Sequence, residues 1–180
     1  MNRLVILLLM LTGWIHESKA QFYQPVDSES SVRFYINNFG SQVEGSFRGL
    51  KGKISFDPLH PASTIMYMSV DAASVKTGIA MRDRHLKQEK YFHIDQYPHI
   101  TITGSGIKPG KLPGTYIMAA AVTIKSATRT VEIPFKASRQ AMGWLFEGRF
   151  TINRRHFDVG GGSISLSDPV TVELKVLAQQ

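Results

Sequence analysis

The sequence predicts an all-β fold, an antiparallel barrel or sandwich with one helical segment. Apolar and polar residues alternate along most of the chain, as in residues 32–37, and a period of two is typical of a strand with one buried face. Turn residues such as Asp57-Pro58 separate the alternating stretches. A helical period appears only in residues 79–90, so the chain lacks the regularly spaced helices that a parallel sheet requires.

The alternation predicts eight strands in order along the chain. Between the third and the fourth lies a densely charged segment, residues 69–100, which contains the predicted helix. The strands centre on residues 32–36, 54–56, 65–70, 100–102, 116–124, 131–135, 144–152 and 170–176.

The inner faces of these strands bear on the choice between barrel and sandwich. They combine large aromatic side chains with small residues such as Gly45, Ala120 and Gly148. Large groups beside gaps suit a barrel with space inside, although layered packing also mixes sizes. The pattern therefore favours a barrel and leaves a sandwich open.

Residues 1–20 have the pattern of a secretory signal peptide. Arg3 precedes an apolar run over residues 4–11, and the small residues Ser18 and Ala20 stand before the expected cleavage site. We expect the mature protein to be a single domain, residues 21–180, in the periplasm, with the extracellular space as the alternative. The chain has no cysteine, so its fold cannot depend on disulfides.

The formal net charge of +7 is moderately basic, but lysine and arginine are scattered along the chain. This distribution favours solubility or weak attraction to a membrane over a nucleic-acid interface. Nucleic acid is therefore not an expected partner.

Several short motifs in a fixed order give the chain a resemblance that covers nearly all of the mature part. They lie at residues 32–34, 45–47, 54–58, 73–77, 82–86, 92, 97–98, 122–124, 128–134, 152–154 and 157. In these motifs the chain resembles the YceI-like family of exported polyisoprenoid-binding proteins. The resemblance implies a lipocalin-like, eight-stranded antiparallel barrel whose cavity holds an isoprenoid lipid, such as a quinone or a polyprenyl carrier. It also implies no cofactor beyond that lipid and no catalysis.

Aromatic and methionine side chains on the inner faces are the candidate ligand-binding residues. An isoprenoid offers only apolar surface, and methionine adapts to irregular shapes. At any one position, ordinary core packing is an equal explanation. The candidates are Phe34, Phe47, Phe56, Met66, Met68, Tyr116, Met118, Phe135, Trp144, Phe146 and Phe150.

The predicted helix provides four further candidates at one end of the barrel. Leu86 and Phe92 would close the cavity, and Arg82 or His85 would meet a head group. The alternative is that Arg82 and Asp83 only tie the helix to neighbouring strands.

An enzyme is the competing class of function. His85, His93 and His99 lie near two aspartates, but no HxH or HxxxH pair offers a metal chelate. No motif places a serine beside a histidine and a carboxylate, and cysteine is absent. A third hypothesis is a scaffold whose barrel is filled by its own side chains.

Two strands are apolar on their outward faces as well. Ile65 and Tyr67 on one strand, and Ile117, Ala119 and Ala121 on another, alternate out of phase with the inner residues. We expect a homodimer, a transient membrane contact or a folded-over chain terminus to cover them.

Overall fold

A computed structural model describes residues 21–180, which form a closed antiparallel β-barrel. The predicted signal peptide lies outside the described residues. Eight strands build the wall: β2 (Ser31–Asn38), β3 (Ser41–Ser55), β4 (Ile65–Lys76), β5 (His99–Ser105), β7 (Thr115–Ile124), β8 (Ala127–Gln140), β9 (Gly143–Asn153) and β10 (Pro169–Gln179). The short strands β1 (Phe22–Pro25) and β6 (Lys108–Pro109), the α-helix α1 (Ala80–Leu86) and three 3₁₀ turns (Asp27–Glu29, Pro61–Ser63, Arg154–Phe157) complete the described elements.

The last strand closes the barrel. Strands β2, β3, β4, β5, β7, β8 and β9 pair in that order, and β10 joins the two ends of the series. It pairs with β9 over its whole length and with β2 over residues 171–175. Closure leaves no free edge among the eight wall strands, which a sandwich would have. The predicted eight-stranded antiparallel barrel with one short helix is thereby confirmed.

The helix is shorter than predicted, because it ends at Leu86 instead of continuing to residue 90. Phe92 follows Leu86 by six residues, about 1.7 turns of a continuous helix, so the two side chains would point in different directions. In the structure the chain turns after Leu86, and the Phe92 amide donates to the Leu86 carbonyl at 3.0 Å. Phe92 is then buried against the ring of Phe47, with centroids 5.3 Å apart. Tertiary packing of Phe92 therefore sets the end of the helix.

Two glycines on the inner faces make room for a neighbouring side chain. Gly45 pairs with Phe34 across β2 and β3, and a Cβ at Gly45 would overlap the Phe34 ring. Gly104 likewise accommodates the side chain of Met118. Gly45 therefore receives the ring of its neighbour instead of leaving a gap, whereas Gly148 lines a small cavity deeper in the barrel.

Aromatic rings fill one end of the barrel. The ring of Phe56, just beyond β3, is surrounded edge-on by Tyr116, Trp144 and Phe146 at centroid distances of 5.4, 4.8 and 5.2 Å. Edge-to-face contacts at such distances are favourable and leave little free volume. This end of the barrel is closed.

The outward apolar residues of β4 and β7 remain on the surface of the described chain. Ile65, Tyr67 and Ile117 are exposed. Dimerisation or membrane contact at this face stays a prediction. No helix within residues 21–180 combines the length and the apolar character needed to cross a membrane.

Candidate functional site

A cavity of about 170 Å³ occupies the barrel beside α1. It extends from the core, at Val176 and Met68, to the turn between β2 and β3, where Asn38 and Val43 line it. Its wall is overwhelmingly apolar, with branched aliphatic side chains from seven of the eight wall strands. Cavities of this size that are lined by apolar side chains can bind small apolar molecules.

A second cavity of about 30 Å³ lies deeper, next to the aromatic end. Met66 and Met118 line it, and Met68, Leu174 and Val176 line both cavities. These three side chains separate the two spaces. Because methionine is unbranched and flexible, a change of rotamer at Met68 can connect them.

Three aromatic side chains and α1 form part of the cavity wall at the mouth. Phe47 lies between Phe34, at a centroid distance of 5.5 Å, and Phe92. Leu86 adds the last turn of α1 to the same wall. Leu86 ends α1 and Phe92 follows it in the turn, so both line this wall, and their closing of the cavity stays a prediction.

Arg82 is one of three arginines that line the larger cavity, and it lies on α1. It lines the cavity, and its guanidinium donates from Nε to Thr77 Oγ1 and from Nη2 to the Thr77 carbonyl, both at 2.7 Å. Asp83 accepts from the Thr77 amide at 2.8 Å and from the Thr77 hydroxyl at 2.5 Å. Thr77 therefore links the exit of β4 to both charged residues of α1. Arg82 anchors the helix and also faces the cavity.

Arg154 holds the loop on the other side of the mouth. Its side chain is 3% exposed and donates to the carbonyls of residues 159, 161, 166 and 167. It also pairs with Asp168 at 2.9 Å. Buried charge requires such saturation with partners. One side chain thus fixes the loop that brings Leu166 and Val159 to the cavity.

The structure distributes the fifteen predicted site residues over four places. Phe34, Phe47, Met68, Arg82, Leu86, Phe92 and Phe150 line the larger cavity. Met66, Met118, Phe135 and Phe146 line the smaller one, together with Met68. Phe56, Tyr116 and Trp144 belong to the closed aromatic end, and His85 is exposed on α1 without lining either cavity. Ligand contact by any of them stays a prediction.

The residues that sequence reasoning missed are mostly aliphatic. They include Val32, Ile36, Val70, Ile100, Ile102, Val122, Ile124, Ile152, Val170, Val172, Leu174 and Val176. Their inward direction was readable from the period-2 alternation. Their place beside a space was not, because a valine that lines a cavity and one in a packed core look alike in sequence.

Imidazole, carboxylate and ammonium groups are absent from the described wall of the larger cavity. None of the described residues lining it is a histidine, aspartate, glutamate or lysine. Residues 21–180 also contain no group of three or more side chains arranged to hold a metal ion. At the opposite, closed end, a hydrogen bond from His60 lowers the pKa of Asp57, with the Leu59 amide adding to the effect.

The amino-acid sequence is similar to a known domain family and to several curated bacterial proteins. A sequence model of the YceI-like domain matches residues 23–178. A UPF0312 protein of Photorhabdus laumondii is 30% identical over 101 residues, which make up 56% of this chain and 52% of that protein. The chain spans about half the length of the first curated relatives it matches, with 56% of a Yersinia enterocolitica UPF0312 protein.

Two solved structures share the architecture. The crystal structure of Burkholderia cenocepacia BcnA aligns with a TM-score of 0.81 at 24% identity, over 87% of this chain and 99% of that one. A polyisoprenoid-binding domain from Saccharophagus degradans, implicated in plant cell wall breakdown, aligns with a TM-score of 0.73 at 16% identity, over 87% and 97%. At these identities the two alignments establish the fold.

Proposed function

The chain belongs to the YceI-like family, and on that premise we propose that it binds and carries a polyisoprenoid or similar long apolar lipid without catalysing a reaction. The observation that supports this proposal best is the apolar cavity of about 170 Å³, with the guanidinium of Arg82 beside α1 at its mouth. Such a cavity matches a ligand with an apolar chain and one polar end. The name of the Saccharophagus degradans domain agrees with a polyisoprenoid ligand.

The size of the cavity limits how much of the ligand fits. An apolar cavity of about 150 Å³ accommodates benzene, so about 170 Å³ holds on the order of one isoprene unit. One unit contributes roughly 4 kcal/mol of transfer free energy at about 0.8 kcal/mol per CH₂. Association costs roughly 4 to 15 kcal/mol, so one buried unit does not give useful affinity.

A longer segment of tail therefore requires the cavity to grow. We propose that Met68 moves aside and joins the larger cavity to the smaller one, so that the tail reaches Met66 and Met118. Flexible thioether side chains make such a rearrangement inexpensive in free energy. The closed aromatic end around Phe56 then limits the tail length.

The polar end of the ligand would lie at Arg82. A guanidinium has five N–H donors, and only Nε and one further nitrogen are engaged with Thr77. A quinone carbonyl or a phosphate can accept from the remaining donors. His85 is exposed on another face of α1 and is not part of this proposal.

The absence of catalysis is part of the proposal. General acid–base catalysis requires a titratable side chain within hydrogen-bond distance of the reacting group. Among the described residues, the wall of the cavity offers arginine, serine, threonine, asparagine and tyrosine, but no imidazole or carboxylate. This composition supports a binding protein over a hydrolase.

Solvent extraction of the purified protein followed by mass spectrometry tests the proposal. We expect a polyprenyl or quinone species in near-stoichiometric amount. The variant Ile102→Trp fills the larger cavity from β5 and should emerge without lipid but folded. A lipid-free extract of the wild type, together with stoichiometric zinc, would favour the enzyme. Strong destabilisation by Ile102→Trp would favour a barrel filled by its own side chains.

A further inference from the structure

Four large apolar side chains are exposed in the loops at the mouth of the cavity. Phe39 lies in the turn between β2 and β3, Ile79 and Met81 at the start of α1, and Ile164 in the loop before β10. Phe39 is 83% exposed. The same segments contribute Asn38, Arg82 and Leu166 to the cavity wall, so the exposed side chains are beside its opening.

The backbone of Phe39 has a conformation that is unfavourable for a phenylalanine. Residues 39 and 40 form a two-residue hairpin turn between Asn38 and Ser41, and both have positive φ, 49° and 76°. Such turns favour Asn-Gly, because asparagine tolerates the left-handed region and bulky residues do not. The phenylalanine therefore costs stability, and with its ring in solvent it regains none by packing. A strained, exposed residue of this kind points to a functional reason for its presence.

Phe39 is fixed next to Ile164. The Phe39 amide donates to the carbonyl of Ser165 at 2.9 Å, and Asn38 pairs with Leu166. The loop itself is fixed by Arg154 through its carbonyls. The side chains of Phe39 and Ile164 thus project from hydrogen-bonded loops. Leu166, two residues after Ile164, lines the cavity.

The surroundings of the mouth are basic. Residues 76–90 contain five lysines and arginines and two acidic residues, and one of the latter, Asp83, is engaged with Thr77. Arg84, Lys87 and Lys90 follow one another on and after α1. Positive charge next to exposed apolar groups is complementary to a surface of anionic lipid head groups.

Exposure alone does not distinguish this end of the barrel from the other. Leu59, Leu112 and Met142 are also exposed, in loops at the closed aromatic end. Those loops, however, contribute no residue to the wall of the larger cavity, and none of these three residues has a positive φ. They therefore serve as matched controls.

We propose that the mouth of the barrel docks reversibly on an anionic lipid bilayer. Phe39 and Ile164 enter the interface on one side of the opening, and Ile79 and Met81 enter it on the other. In this orientation an apolar chain passes between bilayer and cavity without crossing water. The purpose of the docking rests on the proposed function, whereas the docking itself does not require a bound ligand.

Flotation with lipid vesicles tests the docking surface. The purified protein is mixed with vesicles of equal parts phosphatidylethanolamine and phosphatidylglycerol, or with phosphatidylcholine vesicles. We expect binding to the anionic vesicles that weakens with salt, and weaker binding to the neutral ones. Phe39→Asn should lower the partition about tenfold, because it removes one large apolar side chain from the interface. Leu59→Asn, at the closed end, should bind like the wild type.

Thermal unfolding of the same variants separates docking from folding. Phe39→Asn should melt at or above the wild-type temperature, because asparagine suits the turn. Equal flotation of Phe39→Asn and wild type, equal losses in Phe39→Asn and Leu59→Asn, or no flotation of the wild type would each overturn the proposal. A wild-type dimer that Phe39→Asn dissociates in the absence of vesicles would assign the surface to a second copy instead.

Loading the protein with a quinone from detergent solution distinguishes a failure of membrane docking from a failure of lipid binding. Without a bilayer, Phe39→Asn should take up a quinone as the wild type does. Normal loading with no vesicle binding would overturn the docking alone. Vesicle binding with a cavity that takes up no apolar ligand would overturn the proposed function alone.

Discussion

Arg82 and Thr77 are joined by two hydrogen bonds of 2.7 Å, one from the guanidinium Nε to the hydroxyl and one from Nη2 to the carbonyl. The contact spans the bend between β4 and α1. Because Arg82 also lines the cavity, one side chain couples the position of the helix to the surroundings of a ligand. Arg82 can therefore affect both the position of α1 and the binding of a ligand head group, and the two effects can be measured separately.

Replacing Arg82 by glutamine should weaken the binding of lipids that carry a polar head group. Loss of a charge-assisted hydrogen bond of about 1.5 to 3 kcal/mol lowers affinity by at least about tenfold. Competition binding with a quinone measures this effect, and squalene, an isoprenoid hydrocarbon without a head group, should bind both proteins alike. The exposed His85→Gln is the matched control on α1. Equal losses for quinone and squalene would show that Arg82 acts only through the helix.

Gly45→Ala should destabilise the barrel by about 1 to 3 kcal/mol, since the new methyl group would overlap the ring of Phe34. In a Phe34→Ala background the same change should be neutral or stabilising, because alanine is less flexible than glycine in the unfolded chain. Urea unfolding of the four proteins gives the coupling energy. Gly162→Ala, with open space around it, is the control. An unchanged cost of Gly45→Ala without the ring would contradict the packing described.

The eight wall strands were predictable because a strand with one buried face alternates apolar and polar residues along the sequence. The period-2 alternation needs no knowledge of the partner strand, so all eight appeared in order. The length of α1 was not predictable in the same way. Phe92 had to reach Phe47, more than 40 residues earlier in the chain, and that contact ended the helix.

The candidate site was only partly predictable for a related reason. The sequence analysis predicted aromatic residues as ligand contacts. Three of them do not line a cavity, because Phe56 packs against Tyr116 and Trp144 at the closed end. The space itself depends on where facing side chains fail to meet, which is a property of pairs across the barrel. Arg154 was equally hidden, since sequence does not show that an arginine is buried and saturated by loop carbonyls.

Met68→Ala should enlarge the cavity and change its selectivity for tail length. Removing the side chain that separates the two cavities costs about 2 to 5 kcal/mol of stability in the empty protein. A lipid with a longer tail should restore part of this loss, because it fills the joined space. Thermal shifts with quinones of increasing tail length measure this, with the exposed Met142→Ala as the control. A shift that is independent of tail length in both proteins would contradict a role for Met68 as the partition.

Arg154→Met should loosen the loop over residues 159–168 before it affects the rest of the barrel. The change leaves four carbonyls and the partly exposed Asp168 without their donor, and each buried acceptor left unsatisfied costs about 1 to 3 kcal/mol. Arg155 is 3.5 Å from the same carboxylate but largely exposed, so Arg155→Met should cost less than about 1 kcal/mol. Hydrogen exchange should then show faster exchange of the Phe39 amide, whose acceptor is Ser165 in this loop, than of β7 amides. Uniform acceleration across the barrel would instead mean that Arg154 stabilises the whole fold and not the mouth alone.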